Sequence, residues 1–209
     1  MTRIALIRHG AVDVAGIAYG RRVDPGLSET GHAEVAALRG RLTSNGPDRT
    51  HLGDRTPAHV VVSPASRARR SAELLGWSTE HLDERWIERD LGAWEGRPWR
   101  ELWEEAPAEV QTDPASFAAF TPPDGETVEE LQVRVTEALE DLARRHAAAD
   151  PSTAPPVLVV CHGGPIVCAI AHVLGLDPVA ALRIRVATAT ATWVTRWPDG
   201  TWTLEGIGT

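Results

Sequence analysis

Three short polar segments carry residue types suited to phosphoryl chemistry: Arg8-His9-Gly10, Ser63-Pro64-Ala65-Ser66-Arg67-Ala68 and Cys161-His162-Gly163-Gly164. A histidine between arginine and glycine can approach a phosphate that the guanidinium holds through two hydrogen bonds, and a neutral imidazole can attack phosphorus. One such triplet is a common loop sequence. Two arginines and two histidines brought to one edge of a sheet would instead make a cation-lined nucleophilic site. A leaving alkoxide then needs a proton and an attacking water needs a base, so one carboxyl group can serve both steps in turn. Glu88, Asp90 and Glu95 are the candidates for it.

The elements that must position these groups follow from the hydrophobic pattern. Ile4 to Ile7, Val60 to Val62 and Val157 to Val160 are short apolar runs, each ending abruptly in one of the three polar segments. Such runs read as buried strands of an open α/β sheet, in which ligands bind beyond the carboxyl ends of the strands. A helix carrying Val35, Ala36, Leu38 and Leu42 follows, with Ser28 as its cap; Ser63 is expected to cap a second, with Pro64 in its first turn. Thr127-Val128-Glu129-Glu130 forms a capping box ahead of Val128, Leu131, Val135, Ala138 and Leu142, spaced as one face of a long helix. Ile166 to Leu174 makes an apolar helix after the third segment, and 148–156 reads as a surface loop. The C-terminus alternates from Thr188 to Val194, turns at Pro198-Asp199-Gly200 and resumes at Trp202, an edge hairpin that could pair across a homodimer or face solvent. Residues 88–126, with Trp94, Trp99, Trp103 and several prolines, read as a small inserted cap on a single domain spanning 1–209.

Composition narrows the partners. The chain has 209 residues and a formal net charge of −8, which disfavours nucleic acid and anionic membranes, while a small anion can still bind where cations gather. Every basic residue is arginine. Cys161 and Cys168 rule out a disulfide framework and fit a reduced, cytoplasmic compartment; no stretch is long enough for a membrane span. Cys161 sits in an apolar run and reads as a small buried hydrophobe rather than a nucleophile. His32, His51, His59, His81, His146 and His172 show no metal-ligand spacing.

Taken in order, these segments resemble the histidine phosphatase superfamily, the phosphoglycerate mutase-like proteins. The resemblance adds an L-S-x-x-G at Leu27 to Gly31, an E-x-x-x-G-x-W-E-G at Glu88 to Gly96 and a G-E-T at Gly125 to Thr127. It implies a three-layer α/β/α sandwich with a mostly parallel central sheet, no metal or cofactor, and a phosphohistidine intermediate. Carried over, it makes His9 the nucleophile, Arg8 and Arg67 phosphate clamps, His162 a further donor beside Gly163, and Glu88 the proton donor. Where many members follow the first motif with Glu-Thr or Glu-Ser, this chain has Ala11-Val12, and no asparagine stands at Val14 or Ala15. Tyr19-Gly20-Arg21 with Asp24 is similar to the Y-G-R-x-D pattern of alpha-ribazole phosphatase-like members, with one extra residue before Asp24, and makes Tyr19 and Arg21 substrate contacts.

The reading is a metal-independent phosphomonoesterase acting on a small molecule. The rivals are a phosphoglycerate mutase-type phosphotransferase, a phosphoprotein phosphatase and an inactive binding module. A mutase holds a second anionic group with basic residues in the insertion, yet 98–126 contains only Arg100. The expected leaving group is uncharged and partly apolar. Trp99 and Trp103 share one helical face, which must point at the sheet or at the crevice.

Overall fold

The structure is a computed structural model that describes residues 1–14, 16–43, 52, 56–148 and 155–209. Ala15, His51 and most of the loop expected at 148–156 lie outside the described residues. The three apolar runs form β1 (Thr2–Arg8), β2 (His59–Val62) and β3 (Val157–Cys161), paired in parallel with β3 between the other two. Their registers set Arg8 opposite Cys161 and Val62 opposite Val160, so all three polar segments leave the sheet at the same edge.

Alternation along the strands explains the layering, since successive side chains leave opposite faces. Ile4 and Leu6 join Val157, Val159 and Cys161 in one apolar cluster, whereas Ala5 and Ile7 join Leu158 and Val160 in another. Helices α1 (Glu29–Thr43) and α2 (Ser66–Leu75) cover the second face. The first is covered by three helices met later in the chain: α5 (Val128–Arg145), α6 (Gly163–Leu174) and α7 (Pro178–Ala181). On α5 the five residues spaced 3 and 4 apart are all buried, each valine and leucine among them worth about 1.5–3 kcal/mol when fully buried, and Thr127 and Glu130 cap it reciprocally.

The sheet is not mostly parallel. Strands β4 (Ala191–Arg196) and β5 (Trp202–Gly206) complete the order β2-β3-β1-β4-β5, with β1–β4 and β4–β5 antiparallel, so two of four pairings run each way. The parallel expectation came from the three strand-then-helix units and holds for them alone. Within the C-terminal hairpin only β5 is an edge strand. Strand β4 also starts later than the alternation suggests, because Ala189 turns to φ 47° and its N–H meets the carbonyls of Arg8 and His9, 3.1 Å from each.

Between α2 and α5 lie 3₁₀ turns at Glu84–Trp86 and Gly92–Trp94 and two short helices, α3 (Trp99–Glu105) and α4 (Pro114–Ala119). Here Leu91, Trp94, Leu102 and Phe117 form an apolar cluster of their own with Ala18. No helix among the described residues is long and apolar enough to cross a membrane.

Candidate active site

His9 follows directly from β1 and is 1% exposed. Its Nδ1 lies 2.7 Å from the Gly10 carbonyl oxygen, which can only accept, so Nδ1 carries the proton and Nε2 keeps its lone pair. Burial first, then the nearby Arg67 and Arg8 cations, lower its pKa to about 3, so the ring is neutral at pH 7. The loop that aims it is held by close backbone approach. A Cβ on Gly10 would lie 2.6 Å from the Gly31 carbonyl oxygen, and one on Gly31 would collide with Ala11. Both motif glycines therefore serve one contact between the His9 loop and the start of α1.

His162 caps the approach to α6. Its ring centroid lies 5.1 Å from that of His9, at 61°. The Ser63 hydroxyl is 2.7 Å from His162 Nε2; if Ser63 donates there, Nδ1 keeps its proton as a buried donor, and Nδ1 has no partner among the described residues. Burial, then His9 and the arginines, push the His162 pKa well below the usual histidine value. Ser63 is thus not the cap of α2: that position belongs to Ala65, and the Ser63 hydroxyl is taken by His162.

Arg8 donates Nη1 to the Val186 carbonyl at 2.5 Å and has a buried, unpartnered Nε. Arg67 is fully buried, with Nη1 on Asp24 at 2.8 Å, Nη2 on the Gly20 carbonyl at 2.8 Å and Nε unpartnered among the described residues. Tyr19 lays its ring 5.2 Å from the Arg67 guanidinium carbon.

The three carboxylates separate cleanly. Glu95 accepts the backbone N–H groups of Gly20, Arg21, Arg22, Val23 and Leu91 at 2.5–3.2 Å and so shapes the loop behind Arg67. Asp90 accepts from Gly92 N and pairs with Arg22. Glu88 instead faces His9 across an open cavity, accepting from its neighbour Arg89 N at 2.9 Å and from Gly164 N at 3.3 Å in the first turn of α6. A Cβ at Gly164 would run into the Glu88 carboxylate. From α5, Arg134 donates to the carbonyls of Arg85, Ile87 and Glu88 and pairs with Glu126, while Arg89 donates to the carbonyls of Ala118, Phe120 and Glu126.

The cavity beyond His9 has a volume of about 870 Å³. Arg8, His9, Tyr19, Glu88 and Gly164 line it together with Arg89, Arg185 and a set of aromatic and aliphatic side chains. Trp99 and Trp103 both line it, so the face they share points at the crevice, while Leu102 turns inward and is 2% exposed. Trp94 is stacked between Phe117 and Phe120, at 5.0 and 5.6 Å. Arg67 and His162 are fully buried and, with Gly163, do not line this cavity, and Arg21 is exposed with, among the described residues, only its backbone N–H engaged. Leu182, Phe117 and Arg185 also line the cavity. No periodicity or motif in the sequence links 182–185 to the other segments.

Comparison with known proteins bears on this arrangement. The sequence model of the family described as Histidine phosphatase superfamily (branch 1) matches residues 4–209. A bifunctional protein of Mycobacterium tuberculosis is 29% identical over 203 residues, covering 95% of this chain and 51% of that protein. The chain spans about half the length of the mycobacterial relatives it matches. The mycobacterial glucosyl-3-phosphoglycerate phosphatase structure complexed with VO3 superposes with a TM-score of 0.78 at 25% identity, covering 100% of both chains. The alpha-ribazole phosphatase of Shigella flexneri superposes with a TM-score of 0.78 at 22% identity over 100% of this chain and 96% of that one, a likeness of fold.

Proposed function

Because this chain belongs to branch 1 of the histidine phosphatase superfamily, we propose that it is a phosphomonoesterase that hydrolyses a small-molecule ester through a phosphohistidine on His9. The observation that carries this reading is the His9 Nδ1–Gly10 bond, which leaves a neutral, buried Nε2 at the end of a cavity that Glu88 also lines.

In the first step His9 Nε2 forms a bond to phosphorus as the phosphorus–oxygen bond to the leaving group breaks, and the Glu88 carboxyl gives its proton to the departing alkoxide. In the second, Glu88 takes a proton from water as its oxygen attacks phosphorus, the phosphorus–nitrogen bond breaks, and inorganic phosphate leaves. Charge on the equatorial oxygens is met by Arg8, with its free Nε, and by the unpartnered Arg67 Nε and His162 Nδ1. All three of these atoms are buried, so this role requires the phosphoryl group to seat among them. Tyr19 contacts the substrate, and the main chain of Gly163 borders the phosphoryl group beside Arg8; Arg21, which faces solvent, has no support for such a role. We read 1–209 as one domain, 88–126 as its cap, and its compartment as cytoplasmic. The buried cysteines fit that compartment: burial pushes the Cys168 thiol up to about 12 and raises Cys161 as well, leaving both inert.

The test is acid-stopped turnover with a labelled ester. An acid-labile, base-stable label on His9 is expected, with one inorganic phosphate released per ester. Transfer of the label to a second alcohol in place of water would favour the mutase reading.

A further inference from the structure

Three arginines line the cavity, and two are committed. Arg8 donates to the Val186 carbonyl and Arg89 to three carbonyls. Arg185 has no hydrogen-bond or ion-pair partner among the described residues. Arg185 is exposed, and Arg183, two residues earlier, pairs with Asp113 at 3.3 Å. The segment is anchored on both sides of Arg185: Arg183 reaches the residue that caps α4, and the Val186 carbonyl holds the phosphate-end Arg8. Leu182, one turn back, lines the same cavity, as do Trp99 and Trp103. Trp99 is 37% exposed, a large flat apolar surface left open in an interior that a bound ring would cover. A free guanidinium beside such a wall is a fork-shaped receptor for a carboxylate-like anion.

Resting on the phosphomonoesterase reading, we propose that the leaving group is a ring-bearing alcohol that carries one anionic group, its ring against Trp99 and Trp103 and its anion on Arg185. This revises the expectation of an uncharged leaving group, which counted cations only within 98–126. Arg185 arrives from a segment beyond α7, and only the fold brings it to the crevice.

The experiment compares two naphthyl phosphates, alike except for one carboxylate on the ring, as substrates of the full chain and of Arg185→Met. The wild type should prefer the carboxylated ester about tenfold in kcat/KM. Arg185→Met should lose that preference while turning over the plain ester within about twofold of wild type. No preference in the wild type, or equal slowing of both esters in Arg185→Met, would overturn the proposal. Binding of the two free naphthols, followed by tryptophan fluorescence, reads the same contact without turnover. Tighter binding of the carboxylated naphthol, lost in Arg185→Met, supports Arg185 as the receptor even if no ester is hydrolysed, a result that would refute the phosphatase reading alone. Equal binding of the two naphthols refutes the receptor.

Discussion

The two ends of the cavity are built on opposite principles. At the phosphate end, His9, Arg8 and His162 sit within one or two residues of strand ends and are tied by short backbone and side-chain bonds, with both histidines buried and Arg8 half-buried. At the far end, Trp99, Trp103 and Phe117 come from short helices, touch one another edge-on or tilted, and are joined by Leu182 and Arg185 from a distant segment. A strand end fixes a side chain through the sheet ladder, whereas a short helix is fixed mainly by what it packs against. The phosphate end should therefore govern whether any ester reacts, and the far end only which one.

The largest effect expected from that contrast is at His9. His9→Ala should lower kcat by at least ~10³-fold for every ester, small or bulky, because it removes the nucleophile. Full activity in that variant would dissolve the distinction between the ends. Glu88→Gln should slow kcat by ~10²-fold, most severely for alkyl esters, whose alkoxides need the proton most. Equal losses for alkyl and nitrophenyl esters would point away from Glu88 as the acid.

Smaller and more selective losses belong to the far wall. Trp103→Ala should raise KM for naphthyl esters and spare methyl phosphate, a loss of about 1–3 kcal/mol in kcat/KM for the bulky ester. A uniform loss across esters would mean that Trp103 serves packing on Phe117, 5.1 Å away, more than recognition. A signal that does not depend on substrate is expected in stability. His9 and His162 are held neutral by burial, with folded pKa values below the ordinary 6.5. Above pH 6.5 neither folded nor unfolded ring is charged. As pH falls below 6.5 the unfolded chain takes up protons first, so stability should decline by up to ~1.4 kcal/mol per pH unit for each histidine, for His9 until about pH 3. Urea midpoints measured from pH 7 to 5 check this, and Trp103→Ala should share the wild-type slope. A flat profile would show that the burial of these rings has no such cost.

What the sequence disclosed follows the same division. Strand ends were legible because four apolar residues followed by Arg-His-Gly or His-Gly-Gly leave little choice of structure, and the capping box at Thr127 specified α5. Glu88 was separable from Asp90 and Glu95 only through the resemblance; the physical reason, that Glu95 is consumed by five backbone N–H groups, needs coordinates. Ser63 was misread because a serine before proline looks like a helix cap, and its bond to His162 spans 99 positions. The surface cluster of His59, His81 and His146, with rings 4.5 and 5.0 Å apart, was invisible for the same reason. Arg185 was missed because no spacing rule connects a residue after α7 to a helix at 99–105.

Arg134 has a consequence for how such an enzyme can change. It reaches from α5, a helix of the sandwich, to the carbonyls on and just before Glu88, so the acid's backbone is held from the scaffold, while its carboxylate accepts from the Arg89 N–H that follows it. Exchanges between Trp99 and Thr112, which leave the Ala118 and Phe120 carbonyls that hold Arg89 in place, can then be sampled by mutation or by directed evolution without breaking the bonds that hold the acid. Diversification of substrate range and preservation of reactivity become separate genetic problems, solved in different stretches of the same gene.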